Sequence, residues 1–392
     1  MSLWQRGRAD EIETTVAIVG GGVCGLSAAL ECEARGVDAV IVERERVGSG
    51  ASGRNAGYLM RGMAESYAVA CAVYGRERAR AVWAWSEANL ADLRELGVDA
   101  AAGFESRASC LVALDGDEER ELRRSASMMA EDGFDTSLVE PTRDSDALWR
   151  SGRARVGLVN PGDAVCDPVA LLAALRSRLE RTRVIESREV FAVEADAGRV
   201  SVRGRGLCVR AERVLVAANA WIGDLVPTLR GVIEPKRGQM LAARPLEPTP
   251  LEFAYYLNRG DEYIRSGPGG VVLVGGCRRF EPEHESGDRG GVHPAVQDRL
   301  EGYLRELVAD RYEVVARWSG VMGFSPNGLP IVGPTIDDER VWVCGGFTGH
   351  GMSIGHLAGR RAAAAMLGVS ERPALFDTPT DHCPDHSGAS SR

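Results

Sequence analysis

The sequence has no apolar run of membrane-spanning length, which excludes a chain that crosses a bilayer by helices. It has no excess of positive charge: 56 acidic residues against 47 basic ones leave a net charge of −9, which argues against a general nucleic-acid binder. None of its nine cysteines stands in a C-x-x-C pair, and Cys24, Cys32 and Cys344 fall inside apolar segments. They read as reduced thiols of a cytoplasmic protein, and no metal centre is expected. His382, Cys383 and His386 could be imagined as ligands, but Thr378 to Arg392 is polar and reads as a disordered tail, counted from residue 379. The opening MSLWQRGRADEIE lacks the apolar core of a signal peptide. There is no internal repeat and no low-complexity linker. What is present is a globular composition, 44% hydrophobic and 26% charged over 392 residues, enough for two domains with a large core.

The most informative stretch is Thr15 to Arg44. Val16 to Val19 is a β-branched apolar run of the kind that forms a buried strand. Gly20, Gly22 and Gly25 follow in G-x-G-x-x-G spacing, then a helix over Leu26 to Ala34 and a second buried strand over Ala39 to Val42. Gly20 permits the tight turn, Gly22 lets a pyrophosphate approach the backbone, and Gly25 lets helix and strand pack closely. The helix start offers amides and a positive dipole end to phosphates. Glu43 lies about twenty residues beyond the first glycine, where a carboxylate can accept hydrogen bonds from a ribose. The segment reads as a dinucleotide-binding βαβ unit.

Downstream, Val47 to Gly62 is rich in small residues, with Gly50, Gly53 and Gly57 at close intervals around Arg54 and Asn55, and suggests a second ligand-contacting segment. Ala64 to Leu96 reads as one helix, Leu111 to Leu114 as a strand, Asp117 to Asp132 as a helix and Pro141–Thr142 as a capped turn. Asp167 caps a helix that has Pro168 at its first position. Arg183 to Glu194, Val200 to Val209 and Arg213 to Ala218 read as strands, and Tyr255 to Ile264 with Gly270 to Gly275 as strands of an antiparallel sheet. Pro294 to Ala309 is helical. Val341 to Cys344 is a last buried strand, and Gly345 to Ser353 opens a final helix. Strand–helix alternation recurs around 15–60, 160–220 and 340–367. This predicts a nucleotide-binding domain assembled from discontinuous pieces, with a second α+β domain inserted in two parts.

VGGGVCGLSAAL, GSGASGRNAG, VLVAANAW, RWSGVMGFSPNGLPIVG and VWVCGGFTGHGMS, in that order, resemble the FAD-dependent oxidoreductases of the D-amino-acid oxidase type, over about residues 13 to 370. That group includes glycine oxidase, sarcosine oxidase and γ-glutamylputrescine oxidase; ASGRNAG and YGRERARAVW resemble the last most. The resemblance implies an α/β fold with a discontinuous Rossmann-like FAD-binding domain (1–90, 155–228 and 318–378) and an inserted α+β substrate domain on an antiparallel sheet (91–154 and 229–317). It implies noncovalent FAD in an extended pose. Gly20, Gly22, Val23, Cys24, Gly25, Glu43 and Arg44 would bind its ADP half, and the backbone of Val190 its adenine. Ser52, Gly53, Arg54, Asn55, Ala56 and Gly57 would pass the pyrophosphate and isoalloxazine. Ala217, Asn219, Trp221 and Gly320 would also line the cofactor, and Gly346, Gly349, Gly351, Met352 and Ser353 would sit at the flavin ring.

The activity implied is hydride removal from the carbon next to nitrogen in an amino acid or amine, with the imine hydrolysed in water. A hydroxy-acid dehydrogenase, a monooxygenase and a non-catalytic flavin subunit are the alternatives. The sequence departs from the family at the substrate carboxylate. Where glycine oxidases carry an arginine, GVMGF has Met322, and where sarcosine oxidase has a lysine, Ser353 stands. Arg265 and Arg237 are the candidate anchors, Tyr255, Tyr256 and Tyr263 the candidate walls, and His350 a candidate beside the flavin. Strand alternation sends Tyr263 and Arg265 to one side.

Overall fold

The structure, a computed structural model, describes residues 10–63, 65–101, 103–140 and 146–382. The expected turn at Pro141–Thr142 and the tail from Cys383 onward, with His386, lie outside them. The chain forms two compact units: one runs up to Gly53 and adds Leu172–Pro235 and Met322 onward, the other comprises Arg54–Leu171 and Lys236–Val321. These bounds correct the expected ones. Residues 54–90 and 155–171 fold with the second unit because backbone hydrogen bonds tie them there. Tyr58–Leu59 and Glu105–Ser106 both pair with Ala164–Val165, and Ser109–Ala113 pairs with Val156–Asn160.

The first unit is built on an eight-stranded sheet. Asp10–Val19 lies parallel to Ala39–Val42 on one side and to Leu207–Val216 on the other. The latter strand is long enough to serve two neighbours. Its first half pairs antiparallel with Val200–Gly204 and its second half parallel with Val341–Gly345. Residues 200–209, expected as one strand, are therefore a hairpin that turns at Gly206, whose φ is +69°. Likewise 183–194 breaks at Ser187 (φ +57°) into Arg183–Ile185 and Val190–Ala195. Apolar–polar alternation is absent from the central strands because both faces are covered: Val16, Ala17 and Ile18 are all fully buried.

Two helices cover this sheet and meet each other, an opening helix Val23–Ala34 and a closing helix Gly351–Met366. Gly351, Gly355 and Gly359 recur at every fourth position of the closing helix. A Cβ at Gly359 would stand 2.2 Å from the Cys24 carbonyl oxygen, and one at Gly355 would stand 3.0 Å from the Cys24 sulfur. Only glycine permits this approach, so the backbones of the two helices nearly touch.

The second unit contains another eight-stranded sheet, in which Ala254–Leu257, Glu262–Ser266 and Val272–Gly276 form an antiparallel meander. The helix Pro294–Leu307 buries Val296, Leu300, Leu304 and Leu307 against its core. The single helix expected from Ala64 is two, Tyr67–Tyr74 and Arg76–Glu95, separated at Gly75 (φ +80°). The stretch 379–382, expected as tail, forms a short 3-10 turn, and His382 approaches Asp377 at 3.1 Å. No helix among the described residues is long and apolar enough to cross a membrane.

Candidate functional site

Val19, Val42 and Val216 end in register, and the Val341–Gly345 strand, whose Val343 pairs with Val216, runs slightly further, so Gly20, Glu43, Ala217 and Gly346 lie along one edge of the sheet. The carboxyl edge of an open parallel sheet is where such folds bind ligands. Gly20 has φ +112°, and a Cβ there would meet the Ala217 carbonyl oxygen at 2.7 Å. At Gly25 a Cβ would fall 1.9 Å from the Gly20 carbonyl oxygen, so the helix can start tight against the strand only without a side chain. Gly22 is the residue before the opening helix, and a Cβ there would stand 2.9 Å from the Ser52 hydroxyl oxygen. That hydroxyl accepts the Val23 amide at 3.1 Å. Gly53 is held close by the Gly48 carbonyl, 2.1 Å from its virtual Cβ.

Glu43 lies against this turn. Its two oxygens accept the amides of Gly21 (2.7 Å) and Glu45 (2.9 Å). The Glu43 carbonyl accepts the Arg188 amide at 2.9 Å, which brings the Val190 strand alongside. The Arg44 guanidinium stacks over the Trp221 ring, 3.8 Å from its centroid. Asn219, with φ +49°, accepts the Gly346 amide on its side-chain oxygen at 3.0 Å, and Gly323 approaches that oxygen so closely that a Cβ would clash.

His350 precedes the closing helix. Its Nδ1 lies 3.1 Å from the Thr348 carbonyl, which can only accept, so Nδ1 carries the proton. Gly349 has φ +89°, and Met352 and Ser353 are buried in the first turn. Neither Gly22 nor His350, the residues that precede the two helices, caps its helix with its own side chain, and neither helix has an acidic residue in its first turn. Each start is thus a positive helix end with no carboxylate in its own first turn, an arrangement that suits anionic groups.

In the second unit, Tyr263 faces Tyr256 across the Ala254–Leu257 and Glu262–Ser266 pair, and Tyr58 completes the cluster. Ring centroids lie 4.8 Å (Tyr58–Tyr256), 5.7 Å (Tyr256–Tyr263) and 5.9 Å (Tyr58–Tyr263) apart. Gly275 makes room for the Tyr263 ring, 2.1 Å from where a Cβ would be. Burial raises all three phenols, Tyr263 to about 12, so they are neutral hydrogen-bonding groups at physiological pH.

Arg265 lies on the same strand face as Tyr263, as alternation predicts, and is buried. Its N–H groups donate to the carbonyls of Ala56 (2.5 Å), Cys166 (2.9 Å) and Ser266 (3.0 Å). Gly57, with φ +73°, must be glycine because a Cβ would meet both the Cys166 carbonyl and this guanidinium. Asn55 caps the same turn by accepting the Gly57 amide at 2.7 Å. Arg54 and Gly320 adjoin: Trp318 Nε1 donates to the Arg54 carbonyl at 2.9 Å, and a Cβ at Gly320 would touch the arginine stem.

Two expected site residues are corrected. Arg237 does not present a free guanidinium. It donates to both oxygens of Glu285, which is 2% exposed, and to the carbonyls of His284 and Arg289. Tyr255 is no pocket wall. It points into the hydrophobic core, one residue out of phase with Tyr256, and its hydroxyl bonds Asp146.

Residues 15–365 match the FAD dependent oxidoreductase family. The chain belongs to it. This flavoenzyme family member is 27% identical to the γ-glutamylputrescine oxidoreductase of Escherichia coli over 379 residues, covering 93% of this chain and 86% of that one. It is 28% identical to the glycine oxidase of Pseudomonas putida over 348 residues, covering 84% and 88%. Among solved structures, glycine oxidase from Geobacillus kaustophilus shares the fold with a TM-score of 0.78 at 22% identity, over 93% of this chain and 97% of that one. L-proline dehydrogenase from P. horikoshii does so with a TM-score of 0.77 at 17% identity, over 94% and 98%.

The first unit fits FAD on its own geometry. The turn through Gly20, Gly22 and Gly25 presents backbone where a side chain would stand, next to a helix start with no acidic residue in its first turn. Glu43 spends one lone pair of each oxygen on an amide and has others that could accept from hydroxyls such as those of a ribose. Glu43→Ala removes a carboxylate that braces the turn and that, on the FAD reading, would accept from the ribose. At about 1.5–3 kcal/mol per charge-assisted bond, FAD affinity should fall at least tenfold. Fluorescence titration of the apoprotein measures this, and an unchanged dissociation constant would refute the role.

Sequence reasoning missed Tyr58 and Asp163. Tyr58 sits on a two-residue strand, too short to show alternation. Asp163 is 3% exposed and accepts the Ser109 hydroxyl (2.5 Å) and the Arg61 amide (2.9 Å). Burial raises its carboxyl to about 7, against the pull of those bonds. The folded protein therefore keeps a proton that the unfolded chain releases near pH 4, and stability drops as pH rises from about 4 to about 7. Asp163→Asn should remove this slope, so that the variant gains on the parent through that window by an amount on the order of 4 kcal/mol. Denaturation midpoints between pH 4.5 and 8 test it; parallel profiles for the two proteins would count against it.

Proposed function

We propose that this enzyme oxidises the carbon–nitrogen bond of an amino acid or a related primary or secondary amine, with noncovalently held FAD. The observation that carries the reading is the shared sheet edge of Gly20, Glu43, Ala217 and Gly346, followed by the starts of the opening and closing helices, neither with an acidic residue in its first turn. One start suits a pyrophosphate, the other a flavin ring that gains negative charge on reduction. The flavin, when bound, accepts the hydride from the carbon next to nitrogen. The names of the relatives, glycine oxidase and γ-glutamylputrescine oxidoreductase, support an amine nitrogen in the substrate.

In this reading the neutral tyrosines Tyr256 and Tyr263 present aromatic surface and hydroxyls to the substrate, and buried Tyr58, whose hydroxyl donates to the Tyr255 carbonyl at 3.2 Å, supports them. Arg265 supplies positive charge beside them, since the bonds it makes are to carbonyls and leave that charge uncompensated. His350 orients the loop before the closing helix through Thr348. Eight free thiols among the described residues are in keeping with a cytoplasmic setting.

The test is an anaerobic screen of D- and L-amino acids, N-methylated amino acids and their decarboxylated amines for bleaching of the flavin absorbance. The expected result is bleaching by amines that bear a carboxylate and little by their decarboxylated counterparts. Bleaching by 2-hydroxy acids alone would overturn the reading.

A further inference from the structure

The second unit carries a side-chain group that the flavin chemistry does not use. Glu281, His284 and His293 each bring one ligand atom within 4.8 Å of the other two. Glu281 and His284 belong to one helical turn, closed by the Glu285 amide donating to the Glu281 carbonyl at 2.9 Å. The spacing of three residues puts both side chains on one side of it. The His284 ring lies over His293 with centroids 4.4 Å apart, and His284 Nδ1 is 3.3 Å from a Glu281 oxygen. His293 stands just before the helix Pro294–Leu307, and its Nδ1 is buried with no hydrogen-bond partner. A buried imidazole nitrogen without a partner is costly to leave so. It is a lone pair or a proton in want of a ligand.

The backbone around the three is fixed from behind. The His284 carbonyl accepts from Arg237 at 2.7 Å, and the His293 amide donates to the Gln239 side-chain oxygen at 3.0 Å. Gln239 in turn donates to Glu285, which pairs with Arg237 at 2.8 Å. Such outer bonds hold ligating side chains in place at metal sites. Two imidazoles and a carboxylate are the donor set of zinc and neighbouring divalent ions, with water in the remaining position. Ligand atoms around a tetrahedral zinc lie about 3.3 Å apart, for bonds of about 2.0–2.1 Å. Ligand atoms now within 4.8 Å of one another would draw in to that spacing around a bound ion.

We propose that Glu281, His284 and His293 form a divalent-metal site, with zinc as the matching ion, that fastens the 281–293 segment to the start of the Pro294–Leu307 helix. The flavin site is not involved.

The experiment uses the untagged, flavin-loaded full chain, stripped of metal with EDTA and titrated with zinc chloride. Zinc retained after gel filtration should reach one equivalent per chain and raise the thermal midpoint. In His284→Ala/His293→Ala the zinc affinity should drop about a hundredfold or more, since even outer partners are worth 10- to 100-fold, and the thermal shift should vanish while flavin content stays the same. Glu281→Gln, a near-isosteric change at a half-buried position, should weaken zinc binding at least tenfold and serves if the double variant does not fold. No retained zinc in the parent protein, or zinc that remains equally tight in these variants, would overturn the proposal.

Discussion

Gly25→Val should purify without flavin. The Gly20 carbonyl oxygen occupies the space a Cβ would need, at 1.9 Å, and both atoms belong to backbone that cannot swing aside like a side chain. The opening helix would have to leave the strand by more than an ångström. Its start would no longer align with the turn, and its other side would press on the closing helix, to which Cys24 and Gly359 bind it without slack. Strain of this kind belongs to the rare substitutions that cost more than about 4 kcal/mol. The ratio of flavin to protein absorbance should fall to near zero. Gly302→Ala, on the Pro294–Leu307 helix, is the control: a Cβ there meets nothing within 4 Å, and the flavin ratio should be unchanged. Normal flavin content in Gly25→Val would mean that this glycine turn does not hold the cofactor.

The second large effect lies far along the chain. Arg237→Leu leaves Glu285 with a carboxylate 2% exposed and only the Gln239 amide as a donor of the side-chain kind. Breaking a buried pair from one side is expected to cost about 3–5 kcal/mol, because the surviving charge has neither water nor its ion-pair partner. The urea midpoint of Arg237→Leu should fall accordingly at an unchanged slope. Arg237→Leu/Glu285→Leu should recover a good part of the loss, since no charge is then left behind. A loss below about 1 kcal/mol in the single variant would show that the pair is solvated.

The contrast between these two positions shows what the sequence could convey. Gly20, Gly22 and Gly25 were legible because their task is local: three glycines, a strand and a helix follow one another in a single short stretch, each element with its own period. The identity of Arg237's partner was not, because Glu285 reaches it only after the sheet has formed. Tyr255 and Tyr256 differ by one residue. Alternation says they face opposite ways but not which way is the core, and Asp146, which settles it by taking the Tyr255 hydroxyl, is distant in sequence. The breaks at Gly75 and Gly206 did carry a signal, a glycine in a helical and in a strand-like run, and their positive φ values show why each ends its element. Glu281, His284 and His293 carry no familiar spacing, and only the fold brings the third to the first two.

The glycine stripe of the closing helix has a consequence for how the chain is made. Nine residues of the opening helix are buried, and much of that surface is covered by a helix that the ribosome produces some three hundred residues later. At about 5–20 residues per second the delay is roughly 15–60 s. Throughout that time the opening strand and helix exist with their glycine turn formed at best locally and their apolar side uncovered. FAD therefore has no finished site to enter on the nascent chain. Cofactor loading is expected to be a late event, complete only after Gly355 and Gly359 have come to rest against Cys24.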